Sequence, residues 1–89
     1  MLLVNMPSWK IKGYWFYFKV GDVSKYKKSH IHIKVSRGEI SFWISANEIK
    51  LKEIEGHVND HERNKLERIV KDNLDFFLKE WEKQWVKVK

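Results

Sequence analysis

The stretch Ser29–Ser45, SHIHIKVSRGEISFWIS, decides the fold. Strict alternation puts Ile31, Ile33 and Val35 on one side of a strand and His30, His32 and Lys34 on the other. A second strand alternates the same way, with Ile40, Phe42 and Ile44 against Ser41, Trp43 and Ser45. The pattern is a β-hairpin with one apolar face and one polar, aromatic face. An Arg37-Gly38 turn, or a four-residue loop Ser36–Glu39, pairs Val35 with Ile40, Ile33 with Phe42 and Ile31 with Ile44. A three-residue loop slips the register by one and sets Val35 against Glu39, mixing the two faces. The expected register places His32 across from Trp43 and Lys34 across from Ser41.

Upstream, Ile11–Val20 (IKGYWFYFKV) is rich in strand-forming aromatics. Tyr14, Phe16, Phe18 and Val20 make its apolar face; Gly13, Trp15, Tyr17 and Lys19 then share the polar face of the hairpin. Gly21–Ser29 is a polar, lysine-rich loop. Downstream, Ile49–Ile54 (IKLKEI) alternates for two steps before Glu53 and Ile54 fall out of phase. This gives a short fourth strand with a bulge or an end near Lys52, closed by Gly56.

The C-terminal third has a different period. Asn59 with Glu62 three residues on forms a capping box, and Asp60 adds favourable charge at a helix N-terminus. Leu66, Ile69, Val70, Leu74, Phe77, Leu78, Trp81, Trp85 and Val88 recur at three- and four-residue spacing. About 26 helical residues would span roughly 39 Å, against about 30 Å for a domain of this length. The helix must bend near Asn73, overhang, or bury Trp81 and Trp85 against another chain, and the last option implies a homodimer. The alternative is that these tryptophans cover the domain's own sheet.

With 89 residues the chain makes one domain with a single small core. The expected architecture is α+β: a three- or four-stranded antiparallel sheet in hairpin order (11–55) on one long C-terminal helix (59–87). Residues 1–8 are expected to be a flexible N-terminus, with Met6 an alternative initiator. Eighteen Lys and Arg against twelve Asp and Glu give +6, and a pI near 9.6. Such a charge suits nucleic acid or an acidic protein, and equally a soluble lysine-rich surface. The chain has no cysteine, which removes thiol nucleophiles, disulfides and Cys-based zinc sites. No apolar run reaches membrane-spanning length, and the start lacks the features of a signal peptide; the expectation is a cytoplasmic protein with no membrane partner.

The polar face carries the candidate site: Trp15, Tyr17, Lys19, His30, His32, Lys34 and Trp43. Rings interleaved with cations are what single-stranded RNA needs, because bases stack on rings while lysines neutralise phosphates. The alternative is a second covered face, in which the aromatics are core and the lysines reach past them to solvent. His30 and His32, two apart on one strand, can also meet one metal ion, with Glu39, His57 or His61 as a third ligand; no cofactor is expected. With Lys34, the same pair could act as general acid and base in metal-independent ribonuclease chemistry. A third reading is a pure protein-interaction module dimerising through Trp81 and Trp85.

Met6-Pro7, then Gly13 with YWFYF, then SHIHIKVSRGEISFWI, resembles the small prokaryotic family called domain of unknown function 4160. LERIVKDNLDFFLKEWEKQW continues the likeness to the family's I-V-x-x-N-x-x-x-L-x-x-W pattern at Ile69, Val70, Asn73, Phe77 or Leu78, and Trp81. His30 and His32 match the family's histidines; Lys28-Ser29 stand where the family usually has Pro-Pro. The resemblance implies a toxin–antitoxin-like gene pair with a cognate small protein, and it brings no established activity.

Overall fold

A computed structural model describes residues 7–19 and 28–88, with side chains of the last helix described through residue 84. The elements are β1 (Ser8–Ile11), β2 (Tyr14–Tyr17), β3 (His30–Val35), β4 (Gly38–Ser45), β5 (Glu48–Gly56), α1 (Asp60–Asp72) and α2 (Leu74–Val88). The strands form one antiparallel sheet in the order β1-β2-β3-β4-β5. The class is α+β as expected, but the described residues form five strands instead of three or four and two helices instead of one.

The extra strand comes from a turn inside the aromatic run. Lys12 (φ 52°) and Gly13 (φ 89°) both take left-handed backbone, as a tight two-residue hairpin requires. Ile11 therefore pairs with Tyr14 and Trp9 with Phe16, and the ladder extends to a Phe18 N–H bond on the Pro7 carbonyl at 3.2 Å. Ser8, expected in the flexible N-terminus, is the first residue of β1. Val20 and most of the Gly21–Ser29 loop lie outside the described residues.

The expected hairpin register is corrected by two residues. Ser36 and Arg37 alone form the turn, so Val35 faces Gly38, Ile33 faces Ile40, Ile31 faces Phe42 and His30 faces Trp43. Gly38 serves close approach to β5 and is not a turn residue: a Cβ there would lie 1.9 Å from the Glu55 carbonyl oxygen. Lys34 meets Glu39 and His32 meets Ser41, in place of the expected Ser41 and Trp43. In β5, Ser41 pairs with Glu53 and Phe42 with Leu51, leaving Lys52 as the bulged residue. The bulge restores Ile54 to the face of Ile49 and Leu51, which explains the loss of phase.

The apolar face behaves as its pattern requires. Phe16, Phe18, Ile31, Ile33, Val35, Ile40, Phe42 and Ile44 are buried with Leu66, Ile69, Val70, Phe77 and Trp81 of the helices. Phe77 stacks on Phe16 with ring centroids 5.4 Å apart, and Trp9, upstream of the aromatic run, packs edge-on to Phe18 at 5.3 Å. The Asn59 side chain caps α1 by accepting from the Glu62 N–H at 2.8 Å, while the Glu62 carboxylate accepts from Tyr14 at 3.1 Å.

Asn73 breaks the helical segment. Its backbone N–H bonds back to Ile69 and Val70, its side-chain amide donates to the Ile69 carbonyl at 2.8 Å, and its own carbonyl starts α2. The bend lets Trp81 turn onto Phe18, with centroids 5.2 Å apart, and bury itself in its own chain. That removes Trp81 as a ground for the expected homodimer; the Trp85 side chain lies outside the described residues.

Candidate nucleic-acid interface

Both helices cover the same side of the sheet, so the other side holds the candidate residues. Cross-strand pairing lays them out in rows. Lys10, Trp15, Lys34, Glu39 and Glu55 form one row across β1 to β5. Tyr17, His32, Ser41 and Glu53 form the next, and His30, Trp43 and Lys50 a third.

The seven candidates divide into two groups. Tyr17, Lys19 and His32 converge on Glu39. The Tyr17 hydroxyl donates to Glu39 Oε1. His32 Nδ1 lies 2.8 Å from Glu39 Oε2, and Lys19 Nζ is 3.0 Å from the same oxygen. The Tyr17 and His32 rings stack at 5.6 Å. Burial pushes the Glu39 carboxyl up, but the hydrogen bonds from Tyr17, Lys19 and His32 and the histidine's charge outweigh it and hold the group below the ordinary 4.5. Burial, followed by the hydrogen bond to Glu39 and the charges of Glu39 and Glu55, raises the Tyr17 hydroxyl above its ordinary value. An ionised carboxylate only accepts, so His32 Nδ1 carries the proton in this bond.

His30 belongs to the same buried layer. Its Nδ1 donates to the Lys28 carbonyl at 3.0 Å, and its ring lies 5.2 to 5.3 Å from those of His32, Trp43 and Trp81. His30 and His32 are only 5% and 4% exposed. Glu39 is a hub that the sequence pattern does not announce: it falls at the end of a Ser36–Glu39 loop or just after an Arg37-Gly38 turn, with metal ligation its one candidate role. Its parity with Ser41 and Trp43 was the signal that puts it on this face.

Trp15, Lys34 and Trp43 form the accessible group. Trp15 is 47% exposed, with exposed Lys34 directly across on β3 and Lys10 Nζ 6.0 Å from its ring centroid. Trp43 is half-buried, with Lys52 Nζ 5.2 Å above its ring and Lys50 directly across. Both are cation–π arrangements that keep a lysine beside an indole face. Among the described residues no three His, Asp or Glu side chains are grouped to hold a metal ion. His57 follows β5, and His61 is the second residue of α1.

Fold and site together define a small α+β domain: a five-stranded antiparallel sheet with helices on one side and an aromatic, charged surface on the other. The sequence model of the domain of unknown function (DUF4160) matches residues 13–82. The chain belongs to that family. It matches no curated protein and no solved structure. Among the described residues no helix is long and apolar enough to cross a membrane.

Proposed function

We propose that this chain binds single-stranded RNA through the sheet face turned away from the helices, as one component of a toxin–antitoxin-like module. The observation that carries the reading is an exposed tryptophan, Trp15, set between lysines of both neighbouring strands, Lys10 and Lys34. Trp43 with Lys50 and Lys52 repeats the arrangement about 16 Å away, two strands over and four residues along. Stacking surfaces with adjacent cations are sequence-tolerant platforms for bases and phosphates. Carboxylates also lie on this face, but Glu39 is neutralised by its partners, and Glu53 and Glu55 lie toward the β5 edge. The gene-pair part of the proposal rests on the family resemblance alone.

Binding of a labelled uridine oligomer, measured against salt, tests this. Affinity should fall steeply with salt, and Lys10→Ala or Lys34→Ala should each flatten the log–log slope by about 0.7 per lost phosphate contact. Trp15→Ala should weaken binding by about 1–3 kcal/mol. A protein that stays folded yet holds no oligomer at low salt refutes the proposal and leaves a partner protein as the occupant of the face.

A ribonuclease reading gains one specific observation, the Glu39 carboxylate that orients His32. It predicts cleavage with a bell-shaped pH profile, abolished by His32→Gln without loss of binding. Stacking and charge are the better supported chemistry, because both histidine rings are buried while Trp15 and Lys34 are open.

A further inference from the structure

One end of the sheet carries a groove. It occupies about 470 Å³ where the start of β3, the end of β4 and the start of β5 meet α2, within the size range of small-ligand sites. Trp43 lines it, with Lys28 and Lys50 among its cations, Leu78 its apolar contribution from α2, and Glu48 its carboxylate. Resting on the proposed RNA binding, we infer that this groove is a nucleotide subsite that prefers guanine.

The chemistry follows from what the residues can and cannot pair with. Trp43 is held by His30, edge-on at 5.3 Å, so a base stacking on it meets an indole already fixed in orientation. Lys28 and Lys50 supply the charge for the flanking phosphates. Glu48 opens β5 beside them, its backbone carbonyl accepting from Ser45 Oγ at 3.4 Å and its Oε2 lying 3.7 Å from Lys50 Nζ. A carboxylate accepts and cannot donate. Guanine offers it two adjacent donors, N1–H and the N2 amino group. Adenine and cytosine offer one amino group beside a ring acceptor. Uracil offers a single N–H flanked by two carbonyl oxygens, which the carboxylate repels. The full complement of ring, cations and carboxylate therefore favours one base over the other three.

The test is fluorescence anisotropy of the full chain with a labelled uridine heptamer and three heptamers carrying a single central guanosine, adenosine or cytidine. The guanosine oligomer should bind tightest, ahead of all-uridine by about fivefold to a hundredfold, the worth of one good bidentate base contact. Glu48→Gln should bring the four oligomers level, with all-uridine binding tightened as the repelling charge is removed. Trp43→Ala should weaken the guanosine oligomer about tenfold or more, and Lys34→Ala should weaken all four alike. Equal binding of guanosine and uridine oligomers by the unmodified chain overturns the inference alone, as does a preference that survives Glu48→Gln. Failure to bind any oligomer overturns the RNA-binding reading and this inference with it.

Discussion

Glu39→Gln probes the hub of the polar face, and its size can be worked from the contacts. The amide keeps the shape of the carboxylate and can still accept from His32 and Lys19 through oxygen while its NH₂ turns to the Tyr17 hydroxyl. What disappears is the charge. A hydrogen bond to a charged group contributes about 1.5–3 kcal/mol against about 0.5–1.5 for a neutral one, so the His32 and Tyr17 bonds each lose roughly 1 kcal/mol. The Lys19 side chain is 39% exposed, and a solvated pair of that kind adds only some tenths of a kcal/mol. The expected loss at pH 7 is about 2–3 kcal/mol, or roughly 10–20 °C in melting temperature for a domain of this size. The pH dependence is the sharper signature. Because Glu39 is held below its unfolded value of 4.5, its contribution is complete above that value and disappears as pH falls through the lower folded one. Urea denaturation from pH 7 down to 3 should therefore show the two proteins converging in acid. A variant within about 0.5 kcal/mol of the parent at pH 7 refutes the argument, as does a gap that stays constant down to pH 3.

At the alkaline end the sign is opposite. The raised Tyr17 hydroxyl contributes stability that is whole below its ordinary 10.0 and is lost as pH rises beyond it, so Tyr17→Phe should flatten the alkaline limb of a stability profile. Among the glycines, Gly13→Ala should cost only about 1 kcal/mol, since its φ is +89° but nothing lies within 4 Å of the added methyl. Gly38→Ala and Gly56→Ala, whose Cβ atoms would meet backbone oxygens at 1.9 and 2.2 Å, should each cost about 3 kcal/mol or more in chemical denaturation. Phe77→Ala, which empties the space over Phe16, should cost about 3–5 kcal/mol in the same assay.

The parts of the fold legible in sequence are those written in a period or a cap. Alternation assigned both faces of β3 and β4, the phase slip marked the bulge at Lys52, and Asn59 and Asn73 marked where α1 begins and where the helical segment bends. The hairpin register was not legible for a definite reason. Moving a strand by two residues leaves each side chain on its original face, so hydrophobic patterning is blind to the shift, and only turn chemistry decides it. Gly38 pointed to the wrong turn because a glycine needed for close packing looks the same in sequence as one needed for positive φ. The β1–β2 turn hid similarly. Lys12 in left-handed backbone is an uncommon choice, so Lys-Gly lacks the signal that Asn-Gly would have given.

The candidate site was legible as a face but not as a division of labour within it. Alternation can say that seven residues point the same way; it cannot say which of them another side chain has already claimed. The corrected register decides that, because it sets Glu39 across from Lys34 and one row from His32, close enough to gather Tyr17, Lys19 and His32. Those three, and His30 packed against Trp43 and Trp81, form the more buried part of this face. Trp15 and Lys34 stay exposed, and Trp43 half-exposed. A histidine substitution that abolishes function would therefore report on lost structure as readily as on lost chemistry. The two are separated by a double-mutant cycle: if His32 acts through the hub, His32→Gln and Glu39→Gln should couple by about 1–3 kcal/mol in stability. Binding by the folded fraction should then follow Trp15 and Lys34 and be indifferent to both hub variants. Independent stability effects, with binding lost in either variant while it stays folded, would instead put His32 at the reacting surface.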